Sequence, residues 1–209
     1  MKQQLQRALL IGAGGIVVAG ALAIPFVYES QTLWYKMGAA KTLLRAGQVA
    51  GLLAMLALMV QILLGIRGKL LEKIFGVAGL MTWHRANGIV LCCLVIFHIL
   101  LVLVPEGMTN LPIGLKYWPE MVGGILLLLI FVQTISSFFR QQFGFIYKQW
   151  RAFHRFLGYL ALCLATLHVL FVADSFAQGV PRMALLVTVS LVFFLIIAVK
   201  ISKFKIKNK

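Results

Sequence analysis

Apolar residues run along this chain in six long uncharged blocks, and the polar residues gather in short stretches between them. The blocks are residues 8–28, 46–66, 86–104, 121–139, 156–173 and 183–199. Each approaches the roughly 20 residues that a helix needs to cross the hydrocarbon of a bilayer. None shows the short alternating segments of a membrane β-barrel. The pattern predicts an all-α, six-helix transmembrane bundle, each helix running a few residues beyond its block, with residues 1–209 as one domain. Lys2 and Arg7 precede the first block as they would in a signal peptide, but the block is long for that role and is expected to remain as the first span.

Composition agrees with this reading. Hydrophobic residues make up 62% and charged residues 12%, about half the charge of a typical soluble domain. A soluble enzyme, a disordered tail and a disulfide scaffold are thereby excluded. The balance of 20 Lys+Arg against 5 Asp+Glu would suggest nucleic acid in a soluble protein. Here the charges lie between spans, no nucleic-acid motif occurs, and no nucleic-acid partner is expected. With the N-terminus in the cytoplasm, 15 of the 20 basic residues fall inside, with Glu72 as the sole inside acid. Lys36, Lys41, Arg45, Lys116 and Arg182 fall outside with Glu29, Glu106, Glu120 and Asp174. The positive-inside rule then predicts both termini cytoplasmic in a plasma (bacterial inner) membrane. Trp34, Trp83, Trp118 and Trp150 flank the blocks as an interfacial belt. Lys203, Lys205 and Lys207 set topology or contact anionic lipid. Cys92, Cys93 and Cys163 are expected as small buried hydrophobes.

The four histidines narrow the function. His84 and His98 belong to the third span, His154 and His168 to the fifth, and each pair is 14 residues apart. Fourteen residues at about 100° each fall about 40° short of four turns, so both members of a pair face nearly the same way, about 21 Å apart along the axis. The third and fifth spans run parallel. His84 is therefore level with His154 near the inner face, and His98 with His168 near the outer face. The two segments, WHRANGIVLCCLVIFH and FHRFLGYLALCLATLH, also repeat at an offset of 70, matching His84/His154, Arg85/Arg155, Gly88/Gly158, Cys93/Cys163 and His98/His168.

A haem iron with two axial imidazoles needs one histidine on each side of a flat ring at equal depth. Gly88 and Gly158 follow the inner histidines by four residues, and Ala161 and Ala165 continue that face, making room for such a ring. Leu91 and Val95 lie between the two levels. Zinc fits poorly, because the pairs are too far apart to meet one ion and no thiolate or carboxylate completes either. A lone intramembrane histidine often only bridges helices; four in two level pairs favour a cofactor. Two stacked haems would form a wire across the bilayer. Arg85 and Arg155, with Arg151 or Lys148, are either counter-charges for propionates or headgroup anchors; Lys116, Arg182 and Arg45 have the same two readings at the outer level.

The stretches WHRANG…FH and FHRFLGY…LH resemble the ferric reductase-like transmembrane domain, shared by ferric reductases, NADPH oxidases and the haem-binding membrane subunit of the methionine sulfoxide reductase system. The resemblance implies two b-type haems, ligated by His84/His154 and His98/His168, and electron transfer to an extracytoplasmic acceptor such as ferric ion or a partner protein. Larger members carry flavin and nicotinamide regions after the sixth helix, whereas here few residues follow it. GAGG at 12–15 lacks the strand–turn–helix context of a dinucleotide site and is read as helix packing. No flavin or nicotinamide site is expected, so a separate flavoprotein reductase or a quinol must supply electrons.

WHRANG is similar as well to the ligand segment of cytochrome b in quinol–cytochrome c reductase. That keeps a quinol-oxidising anchor subunit as an alternative, although the histidines of that family lie on helices 2 and 4. A third alternative is a non-haem scaffold or transporter, for which midplane polarity is scarce. The outer loops hold no catalytic constellation. Glu106, Glu120 and Asp174 are candidates for attracting a cation.

Overall fold

The computed structural model describes residues 2–107, 111–177 and 179–207. Six long helices dominate it: α1 (Lys2–Val27), α2 (Gly38–Ile66), α3 (Val77–Glu106), α4 (Trp118–Phe138), α5 (Tyr147–Val172) and α6 (Gly179–Lys207). Each is long and apolar enough to span a bilayer. The protein is an integral, multi-pass, all-α membrane protein, as the apolar blocks predict. The helices outrun those blocks mainly at their N-terminal ends. α3 starts nine residues earlier and α5 likewise, which places His84 and His154 inside helices. Residues 108–110 and 178, in loops expected to lie outside, and Lys209 among the counted charges, fall beyond the described residues.

α2 is the hub. It packs most closely on α3, and α4 packs most closely on α5. α2 also touches α1, α5 and α6, whereas α3 and α5 make little close backbone approach to each other. The reason is written in α2. Gly47, Ala50, Gly51, Ala54 and Ala57 give it a face with almost no side chain, and small residues are what let membrane helices close up. A Cβ added to Gly47 would stand 2.9 Å from Val102 Cγ2 and 3.2 Å from Leu101 Cβ, so α3 rests on the α2 backbone there. Ala54, Leu58 and Ile62 of α2 join Leu91, Ala161, Leu162, Ala165, Val189 and Val192 in one buried core.

Two expectations about burial are corrected. The GAGG stretch of α1 packs on nothing within the chain: Gly12, Gly14 and Gly15 have open space where a Cβ would be. Cys93 and Cys163 are exposed and Cys92 is only half-buried, all as free thiols. In both cases the helix is apolar all round, so hydrophobicity does not separate a core face from a lipid face.

Short elements tie the ends. After α2 the chain turns through Arg67 in a left-handed conformation. A short helix, Lys69–Phe75, then runs to Gly76, whose φ of +73° suits glycine. Arg7 Nε donates to Ile74 O at 2.9 Å, holding α1 to that helix. Lys203 Nζ donates to Ile66 O at 2.9 Å, placing a cation on the free carbonyls that end α2. At the opposite end, Glu29 pairs with Lys41 at 3.0 Å and with Arg45, and Lys36 pairs with Glu106 at 3.1 Å. The Lys41 hydrogen bond, aided by Arg45, holds the Glu29 carboxyl below its usual value of 4.5.

A carboxyl with a lowered folded-state pKa contributes stability above its unfolded value and loses it as pH falls through the folded value. Glu29→Gln is therefore expected to lower the melting temperature slightly at neutral pH and to have no effect well below pH 4.5. Thermal unfolding in detergent at the two pH values checks this; a deficit that persists in acid would place the effect elsewhere.

Candidate functional site

The four histidines meet as two pairs across the gap between α3 and α5. The ring centres of His84 and His154 are 6.2 Å apart at an interplanar angle of 70°. Those of His98 and His168 are 6.4 Å apart at 83°. All four rings are half-buried.

Each ring is seated by the neighbouring helix of its own hairpin. His98 Nδ1 lies 2.8 Å from Gly47 O, and His84 Nδ1 lies 3.1 Å from Gln61 O. His168 Nδ1 lies 2.9 Å from Pro119 O. A carbonyl only accepts, so these three Nδ1 atoms carry the proton and donate. Their Nε2 atoms then hold the free lone pair. His154 departs from the rule, since its Nδ1 is 3.5 Å from Ser137 Oγ, which itself donates to Gln133 O at 2.6 Å.

Glycines make the seats. A Cβ on Gly51 would lie 2.9 Å from His98 Cε1, and one on Gly123 would lie 2.6 Å from His168 Cε1. Real Cβ atoms do not come that close. These seating residues were missed in the sequence, although a signal was present. Gly47, Gly51, Gln61 and Gly65 of α2 align with Pro119, Gly123, Gln133 and Ser137 of α4 at a constant offset of 72. The α3/α5 repeat is thus one half of a repeated helical hairpin.

The other sequence candidates fall in different places. Gly158 has open space beside it, whereas Gly88 faces the Gln61 amide, 3.1 Å from a hypothetical Cβ. Ala161 and Ala165 are buried in the core rather than lining open space. Leu91 is buried in that core, and Val95 packs against it. Arg85 and Arg155 are exposed, and Arg155 Nε donates to Arg151 O at 3.1 Å. Arg45 is engaged by Glu29, and Arg182 donates to Ala177 O at 2.7 Å.

Trp34, Trp83 and Trp118 are exposed, as a belt requires. Trp150 is turned inward instead, stacked on His154 at 5.0 Å with its Nε1 buried and unpartnered. Of the acids expected to attract a cation, Glu106 is paired with Lys36 and Asp174 accepts from Thr32 at 3.2 Å. Glu120 keeps a buried Oε2 without a hydrogen bond. Among the described residues, no three His, Cys, Asp or Glu side chains converge as a metal cage.

A family model described as ferric reductase like transmembrane component matches residues 50–145. Over that stretch the chain is similar to this family. The match includes His84 and His98 with most of the α2/α3 hairpin, and stops short of His154 and His168. Neither a curated protein nor a solved structure matches the chain.

The arrangement suits a group that brings its own equatorial ligands. A metal–imidazole bond of about 2 Å on each side, with about 1.1 Å from nitrogen to ring centre, sets two ring centres roughly 6 Å apart. Both pairs meet that separation. The Nδ1–H to carbonyl bonds are the orienting contacts that ligand imidazoles use.

Gly123→Ala is expected to displace His168 from its seat and to break the His98/His168 pairing. Gly124→Ala, with open space at its Cβ, is the control and leaves both levels intact. The His168 ring resonances are the measurement; equal perturbation by the two variants would sink the seating argument.

Proposed function

We propose that residues 1–209 form one di-haem membrane domain, with a b-type haem held by His84 and His154 and a second by His98 and His168. The observation that carries this is the pairing of rings on facing helices, 6.2 and 6.4 Å apart, with the outward nitrogens held by neighbouring helices. The similarity of residues 50–145 to the ferric reductase like family supports it. When bound, the two haems supply one-electron transfer across the bilayer.

The chain's own residues do the positioning. Gly47, Gln61 and Pro119 carbonyls fix three imidazoles in the tautomer that leaves Nε2 unprotonated. Gly51 and Gly123 let the rings lie against helix backbone. The hydrophobic core around Leu91, Ala161 and Leu162 excludes water between the two levels. Arg85, Arg155 and the Trp150 indole N–H are the groups available to neutralise or bond cofactor carboxylates at the His84/His154 level.

The donor is a separate flavoprotein reductase or a quinol acting at the end where Arg140, Lys148, Arg151 and Arg155 cluster. Arg140 lies 5.3 Å over the Tyr147 ring and 5.7 Å over Trp150, and Trp150 stacks on His154. This aromatic contact leads from the basic surface to the ligand. At the other end the acceptor is a small oxidant such as ferric ion or a docked protein. Glu29 and Glu106 are neutralised by basic residues of that surface, while Asp174, bonded only by the Thr32 hydroxyl, keeps its charge.

The test is a reduced-minus-oxidised spectrum with haem quantitation on the purified chain. Two low-spin b haems per chain are expected. His84→Ala or His154→Ala should remove one, and His98→Ala or His168→Ala the other. A folded, fully supplied preparation without haem would overturn the proposal.

A further inference from the structure

The two histidine levels share a scaffold but differ in one polar contact. Gln61 Nε2 lies 3.2 Å from His84 Nε2, the ring nitrogen that does not meet the Gln61 carbonyl. No side-chain amide touches the equivalent atom of His98, His154 or His168 among the described residues.

The direction of that contact is determined by its neighbours. Asn87 Nδ2 donates to Ala57 O and to Gln61 Oε1, both at 2.8 Å. An amide oxygen cannot donate, so Gln61 Oε1 is the accepting end and Gln61 Nε2 is the donating end. His84 Nε2 therefore accepts from Gln61, and His84 Nδ1–H donates to Gln61 O at 3.1 Å. One residue thus holds both nitrogens of the same ring. In the second hairpin the residue equivalent to Gln61 is Gln133, but the position matching Asn87 is Leu157. The clamp is confined to the first hairpin.

We propose that Gln61, oriented by Asn87, is a positioning residue that gates the His84/His154 site. Its carbonyl sets the ligating tautomer of His84, and its amide covers the Nε2 lone pair until the cofactor takes that lone pair. The amide must leave before Nε2 can bind iron, so loading this site gives up a hydrogen bond in a membrane interior, where an amide finds no replacement from water. The His98/His168 site has no such cover and is ready to load. The two sites therefore fill in order, the His98/His168 level first and the His84/His154 level more weakly. This inference rests on the di-haem reading above.

The test is titration of the full-length, haem-free chain in detergent with hemin, followed by its Soret band. His84→Ala and His98→Ala assign the two phases. Gln61→Met and Gln61→Leu keep the main-chain carbonyl and remove the amide. Either should tighten the His84/His154 phase by roughly three- to tenfold, the worth of one hydrogen bond, and leave the other phase unchanged. A residue that merely supports the fold would weaken binding when replaced, so the sign of the change discriminates.

In the unloaded chain, the unprotonated ¹⁵N resonance of His84 should move downfield in both variants, as a nitrogen that stops accepting a hydrogen bond does. An unchanged or weakened His84/His154 phase in both variants, with the other phase intact, would overturn the gate while leaving the di-haem reading standing. No hemin binding by the unaltered chain would overturn both.

Discussion

An imidazole inside a bilayer must give its N–H a partner from the protein, because hydrocarbon offers none. Three histidines of this chain meet that requirement on main-chain carbonyls of the neighbouring helix, Gly47 and Gln61 on α2 and Pro119 at the start of α4. The spacing of the acceptors on α2 equals the spacing of the histidines on α3, 14 residues in each case. Two antiparallel helices in tight contact keep such a register along their whole length. The bare face of α2 makes the contact tight. Replacing Gly47 or Gly51 by a larger residue would crowd Val102 or the His98 ring at that level.

The same construction occurs twice. α2 with α3 and α4 with α5 are hairpins of one design, matched at an offset of 72 on the first helix and 70 on the second. Two residues between the offsets are the difference in the turn that joins each pair. The copies have diverged where the polar chemistry is. Gly65 corresponds to Ser137, and Asn87 to Leu157. A hydroxyl thus stands between His154 and the α4 backbone, while an amide clamp stands on His84. The seats at the other level, Gly51 with His98 and Gly123 with His168, are alike.

The ends of the bundle follow ordinary electrostatics. Lys203 places its ammonium on the last carbonyls of α2. Glu29 is shared by Lys41 and Arg45, and Glu106 is paired with Lys36. Of the acids that looked available in the sequence, Glu106 is therefore engaged by a basic residue of the same face, whereas Asp174 meets only the Thr32 hydroxyl and Glu120 keeps a buried oxygen without a hydrogen bond. The basic residues at the other end, Arg140 and Arg151, lie over aromatic rings instead of carboxylates, which keeps that surface positive.

Much of this was determined by the sequence alone. Six uncharged blocks of spanning length set the number and type of elements, since a bilayer permits few other uses for them. The pairing of His84 with His154 and of His98 with His168 was legible from equal spacing on parallel spans, because helix pitch converts residue count into depth and direction. What the sequence left open was which face of each helix looks inward. These helices are apolar on every side, so Cys93, Cys163 and the glycines of α1 read as interior yet lie on the surface. Tertiary structure decided that α2 and α4 seat the histidines, that Trp150 turns inward, and that Gln61 covers His84. Each of these depends on side chains far apart in the chain meeting at a common depth, which only the packing of helices against one another establishes.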